Sequence, residues 1–320
     1  MTMARFGRLF LVTLLVLGLL FSTVVAVAGC GEETKTTGNG TATGTATAAQ
    51  DNVIGDRALE TLASIPTSGD YANATISAAK LSEKLAGADK ATLFLVDIRS
   101  KADYDKGHIE GATQIDFKQW AASDNLAKLP KDKKIVVICY TGNTAAQTAM
   151  GMRMLGFDAI VLRAGMNGWT QTGMTQTVVN DLATTDNPVV TTPSTVQAKD
   201  APAGGQELTK PSDSEYQTLA EKANSMMSKM PGDGEYANNT IAAAKLSEKL
   251  GNAAEKDKVF VVDIRSKADF DKGHIDGAVN IPYLSVAVPD NLKLLPKDKK
   301  VVVVCYTGNT AGQITTLLRM

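Results

Sequence analysis

A chain of 320 residues has room for about two domains, and a hydrophobic content of 44% with 21% charged residues excludes a disordered polymer. The net charge of −1 gives no electrostatic reason to expect nucleic acid as a partner.

At the N-terminus, Arg5 and Arg8 precede an apolar run from Leu9 to Leu20, which continues through small residues to Val27-Ala28-Gly29-Cys30. A positive region, an apolar stretch and small residues before a cut are the parts of a secretory signal. Positions 27–30 resemble a bacterial lipobox, which implies that residues 1–30 are a signal segment and that Cys30 is lipidated. A plain transmembrane anchor is the competing reading. Either way the rest of the chain is expected outside the cytoplasm, held at the cell membrane, with the lipid anchor favoured. Residues 31–52 contain almost no large apolar side chain, so they bury too little to offset the entropy of ordering and are expected to be a flexible tether.

Residues 53–180 read as a first domain. AAKLSEKLAG predicts a helix stopped at Gly87, and TLFLVDI is a continuous apolar strand, which implies cover on both faces as in a parallel sheet. Residues 101–106 predict a short helical turn, residues 135–138 a second buried strand ending at Cys139, residues 144–155 a helix, and residues 159–162 a further strand before a last helix near Trp169. Strands alternating with helices predict an α/β layered fold with a mainly parallel sheet. Trp169 is expected in the core.

Residues 181–211, rich in Thr, Pro, Ala and Gly, read as an interdomain linker. Residues 212–320 then repeat the first domain. VDIRSKADYDKGHIEGA and IVVICYTGNTA recur as VDIRSKADFDKGHIDGA and VVVVCYTGNTA, and one constant interval separates Asp97 from Asp263, His108 from His274 and Cys139 from Cys305. A repeat this long means duplicated domains, each expected to bury its own core. The second copy lacks counterparts of the last strand and helix, so it is expected to be C-terminally truncated. A disulfide between Cys139 and Cys305 is not expected, because equivalent positions of separately folded domains rarely bring their Cα atoms within the ~7 Å that it requires.

Both histidines and two of the three cysteines lie in the repeated blocks. Cys139 ends an apolar strand and precedes Tyr140-Thr141-Gly142-Asn143, which turns into a helix at Thr144. Cys305 precedes Tyr306-Thr307-Gly308-Asn309-Thr310 in the same way. A sulfur beside the N–H groups of a helix start sits where an anion is favoured, and the thiolate is the nucleophile. An inert buried cysteine is the competing reading. Asp97 with Arg99, and Asp263 with Arg265, are expected to be structural, through hydrogen bonds or an ion pair with a neighbouring loop. His108 and His274 are expected to pin the Gly-His-Ile turn to the sheet. Neither histidine has the company of a metal site, and no metal or cofactor is expected.

The succession VDIR, GHIxGA, a strand ending in a Cys loop and GFDAIVLRAGMNGW resembles the rhodanese (sulfurtransferase) domain. This resemblance implies two rhodanese-like three-layer α/β domains, with Cys139 and Cys305 forming persulfides inside loops 140–144 and 306–310. It implies transfer of sulfane sulfur, from thiosulfate or a persulfide, to a thiophilic acceptor such as a thiol. Related thiosulfate enzymes often carry Arg directly after the cysteine, where this chain has Tyr140 and Tyr306, which weakens charge-assisted binding of an anionic donor. The alternative is a non-catalytic binding or redox-sensing module anchored at the membrane. Phosphatases of the same fold need Arg six residues after the cysteine; Ala145 and Ala311 stand there.

Overall fold

The computed structural model describes residues 42–170 and 187–320, with side chains from residue 53 onward. The signal segment, Cys30, the first part of the tether and residues 171–186 lie outside the described residues.

The first copy is a five-stranded, all-parallel sheet. Its strands are β1 (Thr75–Ile76), β2 (Leu93–Asp97), β3 (Thr113–Gln114), β4 (Lys134–Ile138) and β5 (Ala159–Leu162), in the order β1-β5-β4-β2-β3. Helix α1 (Ala42–Ala63) precedes the sheet. The connections carry α2 (Ala78–Ala86), α3 (Lys101–Lys106), α4 (Ser123–Leu126) and α5 (Asn143–Met154), and α6 (Gly165–Trp169) follows β5. The apolar runs are covered on both faces, as a parallel sheet requires: every residue of β5 and all but Lys134 of β4 are buried. Helix α2 starts where the Ser77 hydroxyl accepts the Lys80 N–H, a side-chain cap that satisfies one orphan donor.

Strand order reverses between β2 and β4, since the chain moves outward from β2 to β3 and the opposite way from β4 to β5. The crevice at the carboxyl ends of those two strands is where open α/β sheets place their sites. Asp97 ends β2 and lies in register with Ile138, which ends β4. Cys139 is the next residue.

The second copy repeats this with α7 (Asp213–Ser228), α8 (Ala243–Gly251), α9 (Ala253–Lys256), β6 (Val259–Asp263), α10 (Lys267–Lys272), β7 (Val279–Asn280), α11 (Pro289–Leu292), β8 (Lys300–Val304) and α12 (Asn309–Arg319). Its sheet has three parallel strands in the order β7-β6-β8, and is therefore the shorter of the two.

Two expectations are corrected, and the linker is defined more closely. The tether does not extend to residue 52, because α1 begins at Ala42. Alanine has the best helix propensity, and buried Ala58 and Leu62 fix the far end of that helix in the core. Residues 187–211, the described part of the segment read as an interdomain linker, are tied to both copies. Val190 and His274 exchange backbone hydrogen bonds of 2.9 Å, the Lys199 N–H reaches Asn291 Oδ1 at 2.7 Å, and the Gly205 and Gln206 N–H groups reach Ile65 and Ala63 carbonyls at 2.9 Å. A segment poor in apolar side chains is thus held by its backbone polar groups. Finally, the cores are not fully separate, although Leu246, Val259, Val261, Phe270, Ala278 and Val302 of the second copy form a cluster of their own. One cluster joins Val137, Ile138 and Met150 of the first copy to Val262, Ile264, Ile314 and Leu317 of the second, because α5 packs against α12. Gly312 permits that approach: a Cβ there would lie 2.8 Å from the Asn143 carbonyl oxygen and 3.1 Å from Ala146 Cβ.

Candidate active site

Cys139 stands at the mouth of the crevice, between the end of β4 and the start of α5. Gly142 takes φ +94°, a left-handed conformation natural to glycine, and this turns the chain so that its N–H points back at the sulfur. The Gly142 N–H donates to Cys139 Sγ at 3.0 Å. In the second copy Gly308, with φ +85°, donates to Cys305 Sγ at 3.1 Å, and the Ala311 N–H lies at 3.4 Å. Each sulfur therefore faces peptide N–H groups at the N-terminal end of a helix of eleven or twelve residues. Both thiols are free.

The expected loop residues lie together, with a difference of one position. The helices start at Asn143 and Asn309, so Thr144 and Thr310 are inside the first turn. Thr141 and Thr307 lie between the sulfur and its glycine. Tyr140 swings away from the sulfur: its hydroxyl donates to Asp103 at 2.5 Å, and the Arg99 guanidinium lies 5.8 Å from its ring centre. Tyr306 does the same with Asp269 at 2.5 Å and with Arg265 at 5.9 Å. The Tyr140 hydroxyl, followed by Lys106 and Ser100, holds the Asp103 carboxyl well below the usual carboxylate range. For Asp269 the order is Lys272, Tyr306 and Ser266, with the same direction. Burial, reinforced by Asp103, pushes the Tyr140 phenol up, so it remains a hydrogen-bond donor at neutral pH.

The arginines beside the crevice are held by their own carboxylates. Arg99 forks onto Asp97, with Nη2 at 2.7 Å and Nε at 3.0 and 3.1 Å, and also donates to the Gly107 carbonyl at 2.7 Å. Arg265 repeats this on Asp263 and Gly273. Asp97 is fully buried, and pairing is what makes a buried carboxylate tolerable. The pairs tie the loop after β2 to the turn before the next strand and present no free guanidinium to the sulfur.

The histidines do not pin their turn to the sheet. Nδ1 of His108 donates to the Tyr104 carbonyl at 2.9 Å and its ring stacks on Tyr104 at 3.7 Å. His274 likewise donates to Phe270 at 2.8 Å and stacks at 3.6 Å. Each imidazole adds a second donor to a carbonyl in the last turn of α3 or α10, which already accepts the Gly107 or Gly273 N–H at 3.1 or 3.0 Å, because a ring four residues on can reach it. Trp169 is half-buried at the edge of the core, and the fully buried indole is Trp120.

Sequence reasoning missed two groups. Asp103 and Asp269, partners of the loop tyrosines, lie within the repeated SKAD blocks, and that identity was the available signal. The backing of the Cys139 loop was also missed. The Met166 N–H donates to the Cys139 carbonyl at 2.8 Å and the Asn167 N–H to the Tyr140 carbonyl at 3.0 Å. Gly165 packs so closely that a Cβ would lie 2.3 Å from the Cys139 carbonyl oxygen. Among the described residues nothing repeats this behind Cys305, whose neighbour Tyr306 is 64% exposed. The described residues also contain no cluster that could hold a metal ion.

Comparison with known proteins places these features in a family. The chain is 35% identical over 80 residues to a probable adenylyltransferase/sulfurtransferase, MoeZ, of Mycobacterium tuberculosis; this covers 25% of the chain and 20% of that relative, so the match spans about a fifth of the relative's length. It is 29% identical over 100 residues to a sulfurtransferase of Allochromatium vinosum, covering 31% of the chain and 90% of the relative. It is 32% identical over 85 residues to thiosulfate sulfurtransferase GlpE of Pseudomonas savastanoi, covering 26% and 78%. Among solved structures, a rhodanese-like domain protein of Staphylococcus aureus matches with a TM-score of 0.28 at 25% identity, over 30% of this chain and 90% of that one. The rhodanese-like domain family matches residues 77–172 and 244–320, more than half of the sequence, and the chain belongs to that family.

Proposed function

We propose that this protein is a sulfurtransferase that carries sulfane sulfur as a persulfide on Cys139, and on Cys305 in the second copy. The observation that carries the reading is the N–H to sulfur contact at the head of a helix, present in both copies at 3.0 and 3.1 Å. The Cys139 thiolate attacks the outer sulfur of thiosulfate, the S–S bond of the donor breaks, and sulfite leaves with the bonding pair. A thiolate or cyanide then attacks the outer persulfide sulfur and releases the Cys139 thiolate. The relatives named sulfurtransferases support sulfur transfer as the reaction class. With Arg99 and Arg265 engaged by aspartates, the negative charge that develops is met by backbone N–H groups, so a persulfide donor suits the site better than a dianion.

The test follows transfer from thiosulfate, and from a low-molecular-weight persulfide, to cyanide and to thiol, with Cys139→Ser and Cys305→Ser singly and together. Intact mass after exposure to donor should rise by about 32 Da per loaded cysteine, as expected for one added sulfur. No turnover with any donor, or turnover indifferent to both substitutions, would leave a binding or redox-sensing module as the better account. We further propose that the protein acts outside the cytoplasm from a lipid anchor on Cys30. In cell fractions Cys30→Ala should release it from membranes or leave it uncleaved, and unchanged processing with membrane retention overturns the anchor.

A further inference from the structure

The two cysteine loops meet at the junction between the copies. Gly142, whose N–H bonds Cys139 Sγ, lies against Asn309 of the second copy: the position a Gly142 Cβ would take is 2.4 Å from Asn309 Oδ1. Gly308, whose N–H bonds Cys305 Sγ, lies against Asn143 of the first copy, 2.3 Å by the same measure. Each asparagine oxygen therefore occupies the space that glycine alone leaves open, facing the Cα–H as a weak acceptor. Both oxygens are buried and, among the described residues, receive no N–H or O–H donor. The surrounding contacts are reciprocal as well. Gln147 Nε2 donates to the Asn238 carbonyl at 2.8 Å and Gln313 Nε2 to the Asn73 carbonyl at 3.0 Å, each in the opposite copy. Thr316 Oγ1 donates to the Gln147 carbonyl at 3.0 Å.

We propose that Asn309 is a positioning residue for the Cys139 loop and Asn143 for the Cys305 loop, so that each nucleophile is held in place by the other copy. By filling the gap beside a left-handed glycine, the asparagine prevents the loop from relaxing away from the sulfur, and the N–H to sulfur contact persists. A peptide dipole aimed at sulfur stabilises the thiolate only while it stays aimed. The duplication then has a chemical consequence, since neither loop is fully supported within its own copy. This proposal rests on Cys139 and Cys305 being the nucleophiles.

The experiment uses the full chain carrying Cys305→Ser and measures iodoacetamide alkylation of Cys139 against pH, resolved by peptide mass. Adding Asn309→Ala should slow alkylation at pH 7 about fivefold and move the midpoint of the profile upward by about half a pH unit, with the melting temperature little changed. Asn309→Asp keeps the shape and sets a carboxylate against Gly142, so it should move the midpoint further. Asp103 and Arg99, the charged groups around Tyr140, are untouched in both. If Asn309→Ala does not fold, the isosteric Asn309→Asp carries the test. A Cys139 profile that superimposes on that of the parent in a folded variant overturns the proposal, even where the melting temperature falls. Alkylation needs no sulfur donor, so a moved profile without sulfur loading would sink the sulfurtransferase reading and leave the coupling standing.

Discussion

The two copies present one loop in two settings. In both, the glycine N–H meets the sulfur at 3.0 or 3.1 Å, and the aspartate–arginine fork has the same contacts within 0.1 Å. The enclosure differs. Cys139 is 2% exposed and backed by Gly165, Met166 and Asn167, whereas Cys305 is half-buried beside an exposed Tyr306. The common loop geometry thus goes with what both settings share: the left-handed glycine, the helix start and the facing asparagine. Burial follows from what packs behind, and it sets how costly a defect is and how easily a reagent enters.

The sharpest way to separate the copies is to unpair the forks. Asp97→Asn leaves a buried guanidinium without its counter-charge and should cost about 4 kcal/mol in urea unfolding, against about 2 for Asp263→Asn. The Arg265 side chain is 19% exposed and that of Arg99 only 7%, so water compensates one and not the other. Equal losses would show that enclosure does not govern the difference.

Gly165→Ala should come next, at about 3 kcal/mol, because φ is +54° there and the added methyl meets the Cys139 carbonyl. Sulfur loading of Cys139 should fall while that of Cys305 persists, read by peptide mass. Equal loss at both cysteines would refute local backing.

The histidines give a smaller contrast. His274 is 3% exposed and His108 is exposed, so His274→Ala should lower stability by about 2 kcal/mol and His108→Ala by about 0.5. A reversal of that order in thermal unfolding would contradict the assigned packing.

The smallest effect is on pH. The carboxyls of Asp103 and Asp269 are held below their usual range. Their contribution is therefore complete above the unfolded carboxylate value near about 4 and is lost as pH falls through the lower folded one. Tyrosine near-ultraviolet circular dichroism should stay constant from pH 7 to about 4 and change only below it. A transition at higher pH would show that the Tyr140 and Tyr306 contacts do not hold these carboxylates.

Much of this was legible in the chain. Continuous apolar runs located β2, β4 and β5 within a residue, since strands covered on both faces cannot alternate. Gly87 marked the stop of α2, and the repeat singled out the cysteine loop. The histidine contacts were misread because a turn motif does not say which of several nearby carbonyls a ring will cap. That the linker segment from 187 to 211 is tied down was not legible, because composition counts apolar side chains, while that segment is held by backbone hydrogen bonds to residues far along the chain.

The sequence alone determined the parallel α/β layers, the duplication and the cysteine loop, because these rest on local propensity, apolar period and a glycine free to turn left-handed. Only the tertiary structure decided that the copies share part of their core and that each cysteine loop rests against the other copy's asparagine. Those contacts join residues with no fixed spacing in the chain, and they exist only where Gly312 lets two helices approach closely enough for the loops at their heads to touch.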